Sequence, residues 1–137
     1  MEEIIEFLRS SPAFHVATVD AENKPRVRPF SFVMDYKGHI CFCTSSTKKF
    51  YAELSKNPNI EICSYNDKSG KWCRIHGVVH WINDQAAKEK IFVVMPDLIP
   101  LYKDATNPVL TVFYIEGACD FYDMANLQSL PRSVPIN

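Results

Sequence analysis

The stretch Thr44-Ser45-Ser46-Thr47-Lys48-Lys49 holds the residue types and spacing most suited to chemistry in this chain. It lies where an extended run, His39 to Thr44, gives way to a helical pattern from about Thr47 to Lys56, stopped by Asn57-Pro58. Hydroxyl residues at such a junction are expected, because each can cap a backbone N–H that the first helical turn leaves unpaired. Two lysines are less expected, since a cation in the first turn meets the positive end of the helix dipole at ~0.3–1 kcal/mol each. Hydroxyls, free N–H groups and two ammonium groups gathered together suit an anion, most simply a phosphate. The same residues also read as a capped helix with two solvated lysines, and the stretch alone leaves both readings open.

A second feature is Arg26-Val27-Arg28-Pro29-Phe30-Ser31-Phe32. Alternation along a strand puts Arg26, Arg28, Phe30 and Phe32 on one face, either a solvated edge or a wall facing a ligand. Pro29 removes a ladder donor and so points to an edge or a bulge, where free backbone groups can read a planar heterocycle. The four histidines, His15, His39, His76 and His80, show no metal-ligand spacing and read as structural, although His76 and His80 share a strand face with Trp72 and Arg74. No serine sits in GxSxG, which removes support for Ser/His/Asp hydrolysis. The five cysteines form no CxxC or Cys/His pattern and read as buried, reduced thiols.

The elements that must position these groups follow from periodicity. Ile4, Ile5, Phe7 and Leu8 mark a short first helix ended by Pro12. Phe14 to Val19, Arg26 to Met34 and His39 to Thr44 read as three strands joined by turns, hence an antiparallel meander. After the helix at Thr47 come strands from Ile60 to Tyr65 and from Trp72 to Ile82. Asn83 or Asp84 then caps a helix from Gln85 to about Val94, in which Phe92 and Val93, with Leu98, pack over a barrel end. Pro96 to Pro108 reads as irregular or a short helix. Val109 to Tyr122 is the last strand, with Gly117 as a bulge or bend, and a polar tail begins at about Asn126. The expectation is one mainly β domain over residues 1–137, a six-stranded antiparallel barrel with two or three short flanking helices. There is no βαβ alternation and no GxGxxG, which argues against a Rossmann-type site.

Fifteen basic against sixteen acidic residues leave a net charge of -1. Non-specific binding to nucleic acid or anionic lipid usually needs a basic excess, so an anion must be met by a local cluster. The start Met1-Glu2-Glu3-Ile4 lacks a signal peptide's basic region, and no apolar run nears the ~20 residues that cross a bilayer. A cytoplasmic protein without membrane or nucleic-acid partners is expected.

Taken in order over about residues 10 to 82, these motifs resemble the split-barrel family that binds flavin mononucleotide (FMN). That family is typified by pyridoxamine 5'-phosphate oxidase, and the likeness is greatest to its short prokaryotic members, the nitroimidazole-reductase-like and general-stress-protein-like ones. The resemblance rests on Arg28-Pro29-Phe30-Ser31-Phe32, a turn with Gly38, the strand Ile40-Cys41-Phe42-Cys43-Thr44, then Ser45-Ser46-Thr47-Lys48-Lys49 followed by Leu54, Asn57 and Pro58, and Trp72-Cys73-Arg74-Ile75-His76-Gly77. It implies a split barrel with Greek-key connections. It also implies that Arg28, Lys49, Thr44, Ser45 and Lys48 hold the phosphate and ribityl chain, and that the backbone at Pro29, Phe30 and Ser31 edges the isoalloxazine ring. A further implication is a homodimer with FMN at the two-fold interface, where Trp72 and Arg74 approach from the partner subunit.

Two departures bear on activity. Trp72 stands where the oxidases tend to have glutamine, and the tail Gln128 to Asn137 offers only Arg132 where they grip substrate with a basic extension. Vitamin B6 oxidation is therefore not expected. The expected function is FMN-dependent oxidation or reduction of a small molecule, of flavin-reductase or nitroreductase type. A non-catalytic flavin- or haem-binding module and an oligonucleotide-binding barrel are the competing classes.

Overall fold

The computed structural model describes residues 1–137. Helix α1 (Glu2–Arg9) buries Ile4, Ile5 and Leu8, with Glu2 and Glu3 in its first turn and Arg9 in its last, both favourable to the helix dipole. Eight strands follow: β1 (Phe14–Val19), β2 (Pro25–Phe30), β3 (Met34–Tyr36), β4 (His39–Ser45), β5 (Asn59–Asn66), β6 (Lys71–Ile82), β7 (Leu110–Asp123) and β8 (Arg132–Ile136). Helix α2 (Lys49–Lys56) links β4 to β5. Helix α3 (Gln85–Val94), a 3₁₀ turn (Pro96–Leu98) and α4 (Ile99–Tyr102) lie between β6 and β7. Asp84 caps α3 by accepting from the Ala86 N–H.

All pairing is antiparallel, in the order β2-β1-β5-β6-β7-β4-β3, with β8 added to β7. The sheet rolls on itself. Phe14 on β1 and Phe42 on β4 have ring centroids 5.8 Å apart although three strands separate them in the order. In a flat sheet four strand spacings would place them about 19 Å apart. Phe14, Val16, Phe42, Ile62, Ile75 and Phe113 fill the inside, closed by Ile4 and Leu8 of α1 and by Phe50 and Leu54 of α2. A second apolar layer forms outside, where Ala87 and Ile91 of α3 cover Met34, Tyr36, Cys41, Cys43, Leu110 and Val112. Strand β4 thus has both faces covered and reads as a continuous apolar run.

The fold corrects several expectations. The count is eight strands and four α-helices, because the run from Arg26 to Met34 divides and the tail supplies a strand. The division has a topological cause: β2 and β3 lie at opposite ends of the strand order, so Ser31-Phe32-Val33 carries the chain across the seam. Phe30 packs against the inner core and Phe32 joins the outer one, so the two do not share a face. The tail pairs through β8, and its Ile136 is buried against the inner core, which no strand periodicity announced. Gly117 is not a bulge, since the β6–β7 register runs unbroken. A Cβ on Gly77 would lie 2.1 Å from the Glu116 carbonyl oxygen and one on Gly117 2.0 Å from that of His76, so neither position accepts a side chain. This pair sits where β7 exchanges β4 for β8 on its other edge. Phe92 and Leu98 pack on the outer core instead of over a barrel end, whereas Val93 is 80% exposed. Cys63 is exposed, and the other four thiols are buried.

Candidate functional site

Strand β4 ends at Ser45, opposite Leu110, and the chain turns sharply into α2. The Ser46 N–H donates to the Val109 carbonyl at 2.8 Å and the Lys48 N–H to the Ser45 carbonyl at 3.1 Å. The Ser45 and Thr47 hydroxyls meet at 2.7 Å, and the Thr47 N–H donates to Ser45 Oγ at 3.3 Å. The hydroxyls therefore shape the turn before the helix. Lys48 is the N-cap residue, in extended conformation and without a side-chain cap, and no acidic residue lies in the first turn of α2. Lys48 and Lys49 are exposed and neither enters an ion pair. Thr44, at the end of β4, is 2% exposed, and its Oγ1 is buried without a hydrogen-bond partner. A buried hydroxyl with nothing to bond is costly.

Lys49 opens onto a cleft of about 610 Å³ between β2 and α2, whose wall includes Arg26, Arg28, Glu53 and Lys56. Arg28 reaches it from the inner face of β2, where its register partner is Val16. Its Nη1 donates to Thr18 Oγ1 at 2.6 Å and its Nη2 to Glu53 Oε2 at 2.6 Å, with the guanidinium 5.0 Å from the centre of the Phe50 ring. Arg26 is paired with Asp20 at 2.8 Å. The Lys24 amide, then Arg26 and the Glu22 amide, hold the Asp20 carboxyl below its ordinary value, so this acid stays ionised. The cations on the wall without a carboxylate partner are Lys49 and Lys56. Lys56 was not singled out from the sequence. The spacing Lys49, Ala52, Glu53, Lys56 places it on the cleft face of α2 and was the signal to use.

Pro29 lies in the edge strand β2, as its missing donor suggested, and is exposed. The Phe30 ring packs 4.9 Å from Phe50, which ties the strand to the helix start. Past β2 the backbone N–H and C=O groups of Ser31 and Phe32 make no hydrogen bond within the chain, while the Val33 carbonyl accepts from Arg9 Nη2 at 2.9 Å.

Trp72 and Arg74 lie elsewhere, on the outer face of β6. Trp72 stacks on Tyr122 at 4.0 Å and 10°, and Arg74 Cζ sits 5.7 Å from the centre of the same ring. Arg74 Nε is 2.9 Å from Glu61 Oε1 but lacks the angles of a hydrogen bond, so charge alone joins them. His76 and His80 share this face, paired with Asp120 at 3.1 Å and Glu116 at 3.0 Å. The Ser133 hydroxyl, then His76, lower the Asp120 pKa. Within one chain, then, the structure brings Arg28 and Lys49 to one cleft, whereas Thr44, Ser45 and Lys48 precede α2 in the chain without lining that cleft. It does not bring Trp72 or Arg74 there.

Residues 1–112 match the family described as pyridoxamine 5'-phosphate oxidase. The chain belongs to that family. Among solved structures it is similar to a NimC/NimA family protein from Clostridium acetobutylicum, at 28% identity and TM-score 0.88, covering 99% of this chain and 93% of that one. A pyridoxamine 5'-phosphate oxidase-related, FMN-binding protein from Nostoc punctiforme shares the fold at 16% identity and TM-score 0.75, covering 99% and 96%. So does HutZ, a heme storage protein from Vibrio cholerae, at 17% identity and TM-score 0.64, covering 83% and 87%. No curated protein matches. No helix of this family member is long and apolar enough to cross a membrane.

Proposed function

We propose that the chain binds FMN and uses it to oxidise or reduce a small molecule, as a homodimer with the flavin between the subunits. The observation that carries this reading is the start of α2, where Lys48 and Lys49 stand without ion-pair partners and Lys49 opens onto the cleft. Such a place suits a phosphate: Lys48 and Lys49 supply charge, and the helix end its free N–H groups. Arg28 lines the same cleft, whose volume suits a phosphorylated ligand of FMN size. The unbonded Ser31 and Phe32 amides and carbonyls offer a donor and acceptor edge to a planar ring, with Pro29 and Phe30 alongside.

When bound, the flavin supplies two-electron transfer, and this chain's residues position it, set its electrostatics and shield it from water. No side chain of the cleft is assigned a proton-transfer role. The outer face of β6 and β7 is the surface offered to the partner, which would carry Trp72 and Arg74 toward the partner's flavin. Pyridoxamine phosphate as substrate is disfavoured, because Arg132 is already engaged by Glu3 and the Phe121 ring.

The test is the visible spectrum of the protein mixed with FMN and passed through a desalting column, with its mass by sedimentation. A retained flavin band, bleached by NAD(P)H and restored by an electron acceptor, in a dimer, upholds the reading. Retention without turnover would make it a non-catalytic flavin module. Uptake of haem in place of FMN would overturn the cofactor.

A further inference from the structure

The Arg28–Glu53 pair is set largely out of water, with side chains 24% and 10% exposed. Thr18, 3% exposed, closes a triangle: its hydroxyl donates to Glu53 Oε2 at 2.5 Å and accepts from Arg28 Nη1 at 2.6 Å. Two donors therefore converge on one carboxylate oxygen, and both terminal nitrogens of the guanidinium are engaged. A carboxylate is a strange component for an anion site. It stands on the wall shared with Lys49 and Lys56, presents like charge to an incoming phosphate, and takes up the cation best shaped to grip one. The helix does not depend on it for anchorage, since Phe50 and Leu54 dock α2 on the inner core.

We infer that Glu53 is an internal rival of phosphate at Arg28, and so the residue that sets how tightly the cleft holds a phosphorylated ligand. The inference rests on reading the cleft as the FMN phosphate site and adds a determinant of affinity and exchange. A phosphate between Lys49 and Arg28 either displaces the carboxylate from Nη2 or lies beside it, and in both arrangements the negative charge opposes binding. In a partly desolvated cleft, that repulsion corresponds to roughly tenfold in affinity or more. The Thr18 hydroxyl is the group that receives Arg28 if Glu53 lets go, so the guanidinium stays in place.

Glu53→Gln tests this, because an amide oxygen still accepts from Arg28 and Thr18 while the charge is gone. FMN and riboflavin affinities are read by fluorescence quenching, and inorganic phosphate by thermal shift. The expected result is FMN held about tenfold more tightly and released more slowly, phosphate binding strengthened, and riboflavin unchanged. FMN binding that is unaltered or weaker in the variant would overturn the inference and make Glu53 a support for Arg28. Should the variant not fold, the wild-type Glu53 carboxyl resonance in ¹³C NMR decides: it must move with FMN or phosphate and not with riboflavin, and a resonance that stays put overturns the proposal. If the wild type takes up neither flavin, the FMN reading fails, and the phosphate arm alone decides for or against Glu53.

Discussion

Replacing Lys49 with alanine removes a cation that the folded chain does not use. Lys49 is exposed, has no ion-pair partner, and sits in the first turn of α2. Its loss relieves an unfavourable dipole contact of about 0.3–1 kcal/mol, and alanine is at least as good a helix former. The free protein should therefore be unchanged or slightly more stable, within about 1 kcal/mol by urea denaturation. A charge-assisted hydrogen bond to phosphate contributes about 1.5–3 kcal/mol, so FMN affinity should fall roughly 10- to 150-fold. Riboflavin, which has no phosphate, should bind both proteins alike. The opposite signs separate this reasoning from general damage, which would lower stability and both affinities together. An FMN dissociation constant within a factor of two of wild type, in a variant that folds, refutes the assignment of the α2 start as the phosphate site.

Other outcomes follow from the same geometry. Gly117→Ala forces a Cβ into the His76 carbonyl and should cost about 3 kcal/mol or more in denaturant unfolding; a loss under 1 kcal/mol would show that β6 and β7 separate easily at this point. Trp72→Ala removes the stacking partner of Tyr122 on the face assigned to the interface, and should weaken dimerisation in sedimentation and change bound-flavin fluorescence. An unaltered dimer and spectrum would clear that face of the role. In native protein a thiol reagent should modify Cys63 alone, with the remaining four labelled only in denaturant. Burial pushes Cys41 and Cys43 up to about 12 from 9.0. The unfolded chain loses these protons first, so the stability they contribute is complete below pH 9 and declines as the pH rises towards 12. A denaturation midpoint flat across that window would contradict the burial.

Much of this protein was legible in its sequence because the signals are local. Period-two runs marked strands such as β1 and β5, a continuous apolar run marked β4, prolines and caps bounded α2 and α3, and the hydroxyl-lysine stretch marked a strand-to-helix junction suited to an anion. What tertiary structure alone decided depends on distant partners. Arg26 to Met34 looks like one strand, and only the seam between sheet ends breaks it at Ser31 and sends Phe30 and Phe32 to different cores. The segment Arg132–Ile136 carries too little apolar pattern to announce a strand, and becomes one because β7 has a free edge beyond Tyr114. Arg28 looked like a free cation for phosphate. Closure of the barrel end by α2 placed Glu53, 25 residues later, against it. Periodicity is written in neighbouring residues, whereas the pairing of charges and strand edges is set by how the sheet closes, which no short window of sequence contains.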